Sequence, residues 1–166
     1  MQACPSPTTP DQDQVMTPPK LASAIVFHFM PAGNLLEPCI GEGAFSKCLL
    51  LYGKLHTHEI ALGSDYLMHI YSDQCFDWTI TNPPWSKDLF NAFLTKTMRE
   101  SKNVVFLVAM NKLMTRLRME MIDNAGFGFR EILRVPRPKE WPSSGFEYAA
   151  IHLAHGWKGD CKISKL

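Results

Sequence analysis

Leu35-Leu36-Glu37-Pro38-Cys39-Ile40-Gly41-Glu42-Gly43-Ala44-Phe45 decides how this chain folds. Leu35-Leu36-Glu37 is short and apolar and reads as a strand. Gly41 and Gly43 break it, and Phe45 to Tyr52 reads as a helix. Glycines let the main chain bend tightly and come close to a bound molecule. A strand that turns through glycines into a helix opens an α/β unit. In open α/β sheets, the crevice at the carboxyl end of such a strand is where nucleotides bind.

The rest of the chain continues the alternation. Residues 1–16 hold Pro5, Pro7, Pro10, Asp11 and Asp13 and few large apolar groups, and read as a flexible N-terminal tail. Thr17-Pro18-Pro19 reads as a helix start, with Thr17 as cap and proline in the first turn. Leu21, Ala24, Ile25, Phe27, His28 and Phe29 give that helix a broad apolar face, and Pro31 and Gly33 end it. Leu55 to Ile60 is the second strand, followed by a short connection to Ser64-Asp65-Tyr66. Phe76 to Thr81 is the next strand. Asp88 to Glu100 is an amphipathic helix with Leu89, Phe90, Phe93, Leu94 and Met98 turned inward. The unbroken apolar run Val104 to Ala109 predicts a central parallel strand. Lys112 to Asn124 reads as a basic helix, and Phe129 to Val135 and Glu147 to Ala154 as closing strands. The pattern predicts one α/β domain over residues 17–166, with a mostly parallel twisted sheet, flanking helices and an antiparallel closing strand.

Bulk composition narrows the function. The chain has 166 residues, enough for a domain that buries about 70% of its unfolded surface. Hydrophobic residues make up 46% and charged residues 20%, which excludes a disordered polyelectrolyte. A net charge of +1 is too small for tight whole-surface binding to nucleic acid, so any such contact needs a local basic patch. Five cysteines (Cys4, Cys39, Cys48, Cys75 and Cys161) form no Cys-x-x-Cys pair and read as reduced thiols of a cytoplasmic protein. His56 and His58 alternate on a strand and read as ordinary strand histidines, so no metal site is expected. There is no signal peptide, long apolar span or lipidation motif, so no membrane partner is expected.

A second motif, Thr81-Asn82-Pro83-Pro84-Trp85, follows the strand Phe76 to Thr81. The Asn82 amide oxygen can accept a hydrogen bond at the strand end. Two prolines stiffen the turn and remove main-chain donors, which leaves the Asn82 and Pro83 carbonyls as free acceptors. Trp85 is expected to lie beside them as a flat stacking platform. Such a corner suits a planar amine, for example a nucleobase.

The glycine turn has its own chemistry. Its Gly-x-Gly lacks the third glycine of a dinucleotide fingerprint, and Glu37 disfavours a diphosphate there. A ligand with an ammonium or sulfonium cation fits better. Glu59, 18 residues after Gly41, is placed to grip a ribose diol, and Asp65 to accept from an adenine amino group.

These motifs, in this order, resemble those of the amino methyltransferases that use S-adenosylmethionine, above all DNA adenine-N6 methyltransferases. Thr17-Pro18-Pro19 is similar to their N-terminal Thr-Pro-Pro motif. Glu37 through Phe45 is similar to the cofactor motif Asp/Glu-Pro-x-x-Gly-x-Gly-x-Phe, and Asn82-Pro83-Pro84-Trp85 to the catalytic motif. Arg134 to Gly156 resembles the end of the catalytic domain, and the resemblance spans about residues 17–157.

The resemblance implies a Rossmann-like methyltransferase fold and S-adenosylmethionine as cofactor. It places the cofactor against Thr17, Pro18, Glu37, Pro38, Cys39, Gly41, Gly43, Phe45, Glu59, Asp65 and Asn82. It implies catalysis by Asn82, Pro83, Pro84 and Trp85, with the Asn82 side chain and the Pro83 carbonyl accepting from the amine. For duplex DNA the base must be flipped out of its stack. Trp85 would form one wall against it, and Phe146 is a candidate for the second.

Residues 111–139 carry seven basic side chains against three acidic ones, leaving +4. Among them, Lys112, Arg116 and Arg137 are expected to contact phosphates. The chain departs from the family in two ways. Glu59 to Asp65 is too short for the usual intervening helix. There is also no target-recognition domain, so relaxed or short-site specificity is expected, with a protein partner or a second copy of the chain supplying recognition. Two other readings stay open: methylation of an RNA base or a protein glutamine amide, and a cofactor-binding partner subunit without catalysis.

Overall fold

The computed structural model describes residues 15–143 and 145–166. Seven strands form one sheet: β1 (Gly33–Glu37), β2 (Gly53–Thr57), β3 (Phe76–Thr81), β4 (Ser101–Ala109), β5 (Phe127–Val135), β6 (Tyr148–His155) and β7 (Lys162–Lys165). Their order across the sheet is β2-β1-β3-β4-β6-β5-β7. All neighbours pair in parallel except at β6, which runs antiparallel to both β4 and β5. This is the mostly parallel α/β sheet with an antiparallel closing strand that the sequence predicts.

Helices cover both faces. Alternate residues of a strand point to opposite faces, and each strand near the centre uses both. Leu35, Val105 and Leu107 pack with Leu21, Ile25 and Val26 of α1 (Pro19–Phe29) and with Phe45 and Leu49 of α2 (Ala44–Leu49). Leu36, Val104, Phe106 and Val108 pack with Phe90, Phe93, Leu94 and Met98 of α3 (Lys87–Glu100) and with Ile122 of α4 (Arg116–Asn124). The continuous apolar run in β4 is thus buried on both faces, as a central strand requires, although β4 is parallel only to β3 and antiparallel to β6.

The boundaries differ where side chains compete with helix formation. The expected helix from Lys112 begins only at Arg116, because Met110–Lys112 forms a 3₁₀ turn and the Thr115 hydroxyl caps α4 by accepting from the Arg118 amide at 3.4 Å. Two 3₁₀ turns, Ile60–Leu62 and Tyr66–Met68, fill the connection after β2 in place of a helix. Strand β7, Lys-Ile-Ser-Lys, was not expected. It carries one apolar residue and pairs at the sheet edge with β5.

Residues 1–14 of the expected tail, Cys4 among them, lie outside the described residues. Its last two residues are held in place: the Val15 carbonyl accepts from Asn82 Nδ2 at 2.7 Å, and the Met16 carbonyl from Trp141 Nε1 at 2.8 Å. Among the described residues, no helix is long and apolar enough to cross a membrane.

Candidate active site

The carboxyl ends of β1, β2 and β3 converge on a cavity of about 570 Å³. Its wall includes Thr17, the run Glu37 to Glu42, Ala44, Phe45, Glu59, Asp65, Asn82 and Pro84. The glycine turn and the Asn82 corner therefore face one space, though 40 residues of sequence separate Glu42 from Asn82.

At the glycine end the main chain does the positioning. Gly41 and Gly43 have φ of +53° and +78°, the left-handed region that side chains disfavour. The turn is stitched to the end of β2: the Ile40 amide donates to the His58 carbonyl at 3.0 Å and the His58 amide to the Glu37 carbonyl at 3.1 Å. Glu59 binds the same turn, accepting from the Gly41 amide at 2.7 Å and the Ala61 amide at 3.2 Å. Asp65 accepts from the Leu67 amide at 2.9 Å. Both carboxylates are thus oriented by main-chain donors while keeping lone pairs for a ligand.

Glu37 ends β1 and is buried, and it accepts from the Ser46 hydroxyl. Burial pushes its carboxyl up to about 8, with the hydrogen bonds from Ser46 opposing that rise. The Cys39 thiol approaches Thr81 Oγ1 at 3.0 Å and donates to the Asn82 carbonyl at 3.3 Å, and burial pushes it up to about 12. It is an inert link between the two motifs rather than a nucleophile.

The Asn82 corner is more occupied than the sequence suggests. Asn82 Nδ2 donates to the Val15 carbonyl at 2.7 Å and to Thr17 Oγ1 at 3.3 Å. Asn82 Oδ1 accepts from Trp85 Nε1 at 3.0 Å. Its own main-chain carbonyl accepts from Cys39, so the expected free acceptor there is engaged. Trp85 is only 7% exposed, so its expected role as an open stacking platform is corrected. The indole stacks at 5.7 Å on Tyr148 and meets Trp141 edge-on at 5.5 Å. Three large aromatic surfaces bury more apolar area against one another than any one of them would by facing water. Pro83 is buried, whereas Pro84 reaches the cavity.

The basic residues of the segment 111–139 are not all at the surface. Arg118 is buried, donating to Asn91 Oδ1 at 2.8 Å and the Lys112 carbonyl at 2.6 Å, with its guanidinium 4.2 Å from the Phe90 ring centre. Arg130 lies over Trp157, and Arg134 pairs with Glu147. Lys112 Nζ donates to the Trp85 carbonyl at 2.9 Å and Arg137 to the Trp141 carbonyl at 2.5 Å, so both brace the aromatic nest. Arg116 pairs with Glu120 on the surface. Phe146 is 56% exposed in the loop before β6, and neighbouring residue 144 lies outside the described residues.

Sequence reasoning missed Val15, Trp141 and Tyr148 as parts of this corner. A tryptophan flanked by Glu140 and Pro142 in a loop was the one signal available for Trp141. His58 is a buried network residue just past β2, bonded to Ser64 Oγ at 2.9 Å and the Tyr71 hydroxyl at 2.8 Å.

No protein-family model matches the sequence, and no curated protein matches it. Solved structures do match. A candidate class I S-adenosylmethionine-dependent methyltransferase from Listeria monocytogenes superposes with a TM-score of 0.69 at 14% identity, over 93% of this chain and 66% of that one. A modification subunit of a candidate type I restriction enzyme from Vibrio vulnificus gives 0.63 at 14% identity, over 88% and 45%. A candidate RNA methyltransferase from Pyrococcus horikoshii gives 0.62 at 15% identity, over 82% of both chains. The chain has the Rossmann-like fold of S-adenosylmethionine-dependent methyltransferases. It spans 66% of the first of these structures and less than half of the second.

Proposed function

We propose that the chain is an S-adenosylmethionine-dependent methyltransferase that modifies the exocyclic N6 amine of adenine in DNA. The observation that carries this reading is the single cavity shared by the Glu37–Glu59 end and the Asn82–Pro84 end. The donor set fits the cofactor. Glu59 keeps lone pairs for a ribose diol, Asp65 for an adenine amine, and Glu37 lines the same cavity with a carboxyl that burial raises to about 8, a group that an approaching cation would ionise. Fold neighbours include one whose structure holds S-adenosylhomocysteine, a 1,6-didemethyltoxoflavin N1-methyltransferase from Burkholderia thailandensis with a TM-score of 0.57 at 16% identity.

S-adenosylmethionine, when bound, supplies a sulfonium methyl group that the amine nitrogen takes with its lone pair while sulfur keeps the S–C bonding pair. The protein's part is to prepare that lone pair. An aryl amine donates it into the ring and is a weak nucleophile. Asn82 Oδ1 accepts one amine hydrogen and draws the nitrogen toward a tetrahedral shape. The Pro83 carbonyl, the second acceptor that the resemblance implies, belongs to a buried residue, and the proline that reaches the cavity is Pro84. The surplus proton goes to water once nitrogen is methylated, so no strong base is required. The gain comes from position and fixed dipoles.

Restriction-modification subunits among the fold neighbours favour DNA as substrate and a protein partner for target recognition. The RNA methyltransferase neighbour keeps RNA bases as the second reading. The test is methyl transfer from labelled S-adenosylmethionine to unmethylated DNA, RNA and protein in parallel, with wild type and Asn82→Ala. DNA is expected to be labelled. Asn82→Ala is expected to slow transfer by about a hundredfold, or about 3 kcal/mol, while still binding cofactor. Equal rates in both proteins would remove Asn82 from the mechanism, and labelling of RNA alone would move the substrate to the second reading.

A further inference from the structure

We infer that Trp85 is a positioning residue, whose indole N–H locks the Asn82 side chain with one oxygen lone pair left for the acceptor amine. This rests on the methyltransferase reading above, and it replaces stacking on the substrate as the task of this aromatic.

The argument is a count of valences. An asparagine side chain offers two N–H donors and two oxygen lone pairs. At Asn82 both donors are used, by the Val15 carbonyl and Thr17 Oγ1. One lone pair is used by Trp85 Nε1 at 3.0 Å. The remaining polar valence is the second lone pair of Oδ1, on a residue that lines the cavity. A flipped amide would set Nδ2 against the indole N–H, donor against donor, and Oδ1 against the Val15 carbonyl, acceptor against acceptor. The three bonds therefore select the rotamer that presents oxygen. Donation from Nδ2 to two acceptors also polarises the amide and makes Oδ1 a better acceptor.

The indole itself is fixed. Trp85 is stacked on Tyr148 and edge-on to Trp141, and its carbonyl accepts from Lys112. Tyr148 donates its hydroxyl proton to the Pro142 carbonyl at 2.8 Å, and Trp141 donates to the Met16 carbonyl. The nest thereby holds Trp85 and also ties down the strand of chain, Val15 to Thr17, that receives the Asn82 donors. A rigid support of this kind is what holds a reacting group within the narrow range that a transition state needs.

The test is Trp85→Phe, which keeps an aromatic ring and deletes the N–H. With tritiated S-adenosylmethionine and unmethylated duplex DNA, kcat is expected to fall roughly 10- to 100-fold. The KM for DNA and the Kd for cofactor stay at wild-type values. In 15N-labelled protein, the Trp85 indole proton is expected to exchange slowly with solvent. The Asn82 side-chain amide pair is expected to shift in Trp85→Phe while main-chain amides far from the corner do not. An unchanged or raised kcat overturns the inference, as does a raised KM for DNA at constant kcat, which is the signature of stacking. Rapid exchange of the indole proton in the wild type overturns it too, a measurement that stands even if Trp85→Phe fails to fold. If the wild type methylates no acceptor, the methyltransferase reading fails, whereas the exchange and amide shifts still report whether the lock exists.

Discussion

The two ends of the cavity are built by opposite means. The glycine end is local: its ties run from Gly41 to Glu59, 18 residues apart, and from Glu59 to Ala61, two apart. They use main-chain amides, whose positions follow from strand, turn and helix. The Asn82 end is assembled from afar. Its amide reaches Val15, 67 residues away, and the nest beside it joins Trp141 to Met16 across 125 residues. A cofactor cradle can be written into a short motif because its donors are backbone. An acceptor aimed at one amine needs side chains held by packing.

That contrast predicts independence. Glu59→Ala removes the acceptor for the Gly41 and Ala61 amides and the group proposed to hold the ribose diol. Charge-assisted hydrogen bonds of this kind contribute about 1.5–3 kcal/mol, so cofactor Kd, read by calorimetry, is expected to rise about 10- to 100-fold. The Trp85 indole proton should keep its slow exchange in this variant. If the indole becomes mobile as well, the two ends are one cooperative unit and the contrast is broken.

Glu37 gives the glycine end a pH dependence. Burial raises its folded pKa from 4.5 to about 8. A group raised in this way holds its proton in the folded protein longer than in the unfolded chain. Its stabilising contribution is full below about pH 4.5 and is lost as pH rises through about 8. Wild-type Tm is therefore expected to fall between pH 5 and pH 9, and Glu37→Gln should flatten that fall. A parallel decline in both proteins would place the titration elsewhere.

How much of this could be read in advance follows the same division. β3 was legible to the residue, Phe76 to Thr81, because an apolar run ended at Asn-Pro-Pro, where main-chain donors disappear. The glycine turn was legible because Gly41 and Gly43 sit where positive φ is needed. The trimmed connection after β2 was legible from length alone. Trp85 was misplaced because nothing near it in sequence says that Trp141 and Tyr148 will enclose it. Arg118, one of the seven basic side chains of residues 111–139, is not recognisable in sequence as buried because the Asn91 and Phe90 contacts that enclose it come from another helix. β7 was missed because a polar edge strand with one apolar residue carries little period-two signal.

The basic segment offers the smallest and sharpest test, because two of its arginines lie two positions apart and face opposite ways. Arg118→Ala removes the donors that Arg118 gives to Asn91 Oδ1 and the Lys112 carbonyl, and is expected to cost about 1–3 kcal/mol of stability in a denaturant titration. The Arg116 side chain is 94% exposed and pairs with Glu120, so Arg116→Ala should leave the denaturation midpoint where it was. Its effect should appear instead in DNA binding. If Arg116 meets a phosphate, the slope of log K against log salt shrinks by about 0.9 in the variant, and affinity drops alike for every DNA sequence. An unaltered slope would leave Arg116 as one half of a helix-surface ion pair and remove it from substrate recognition.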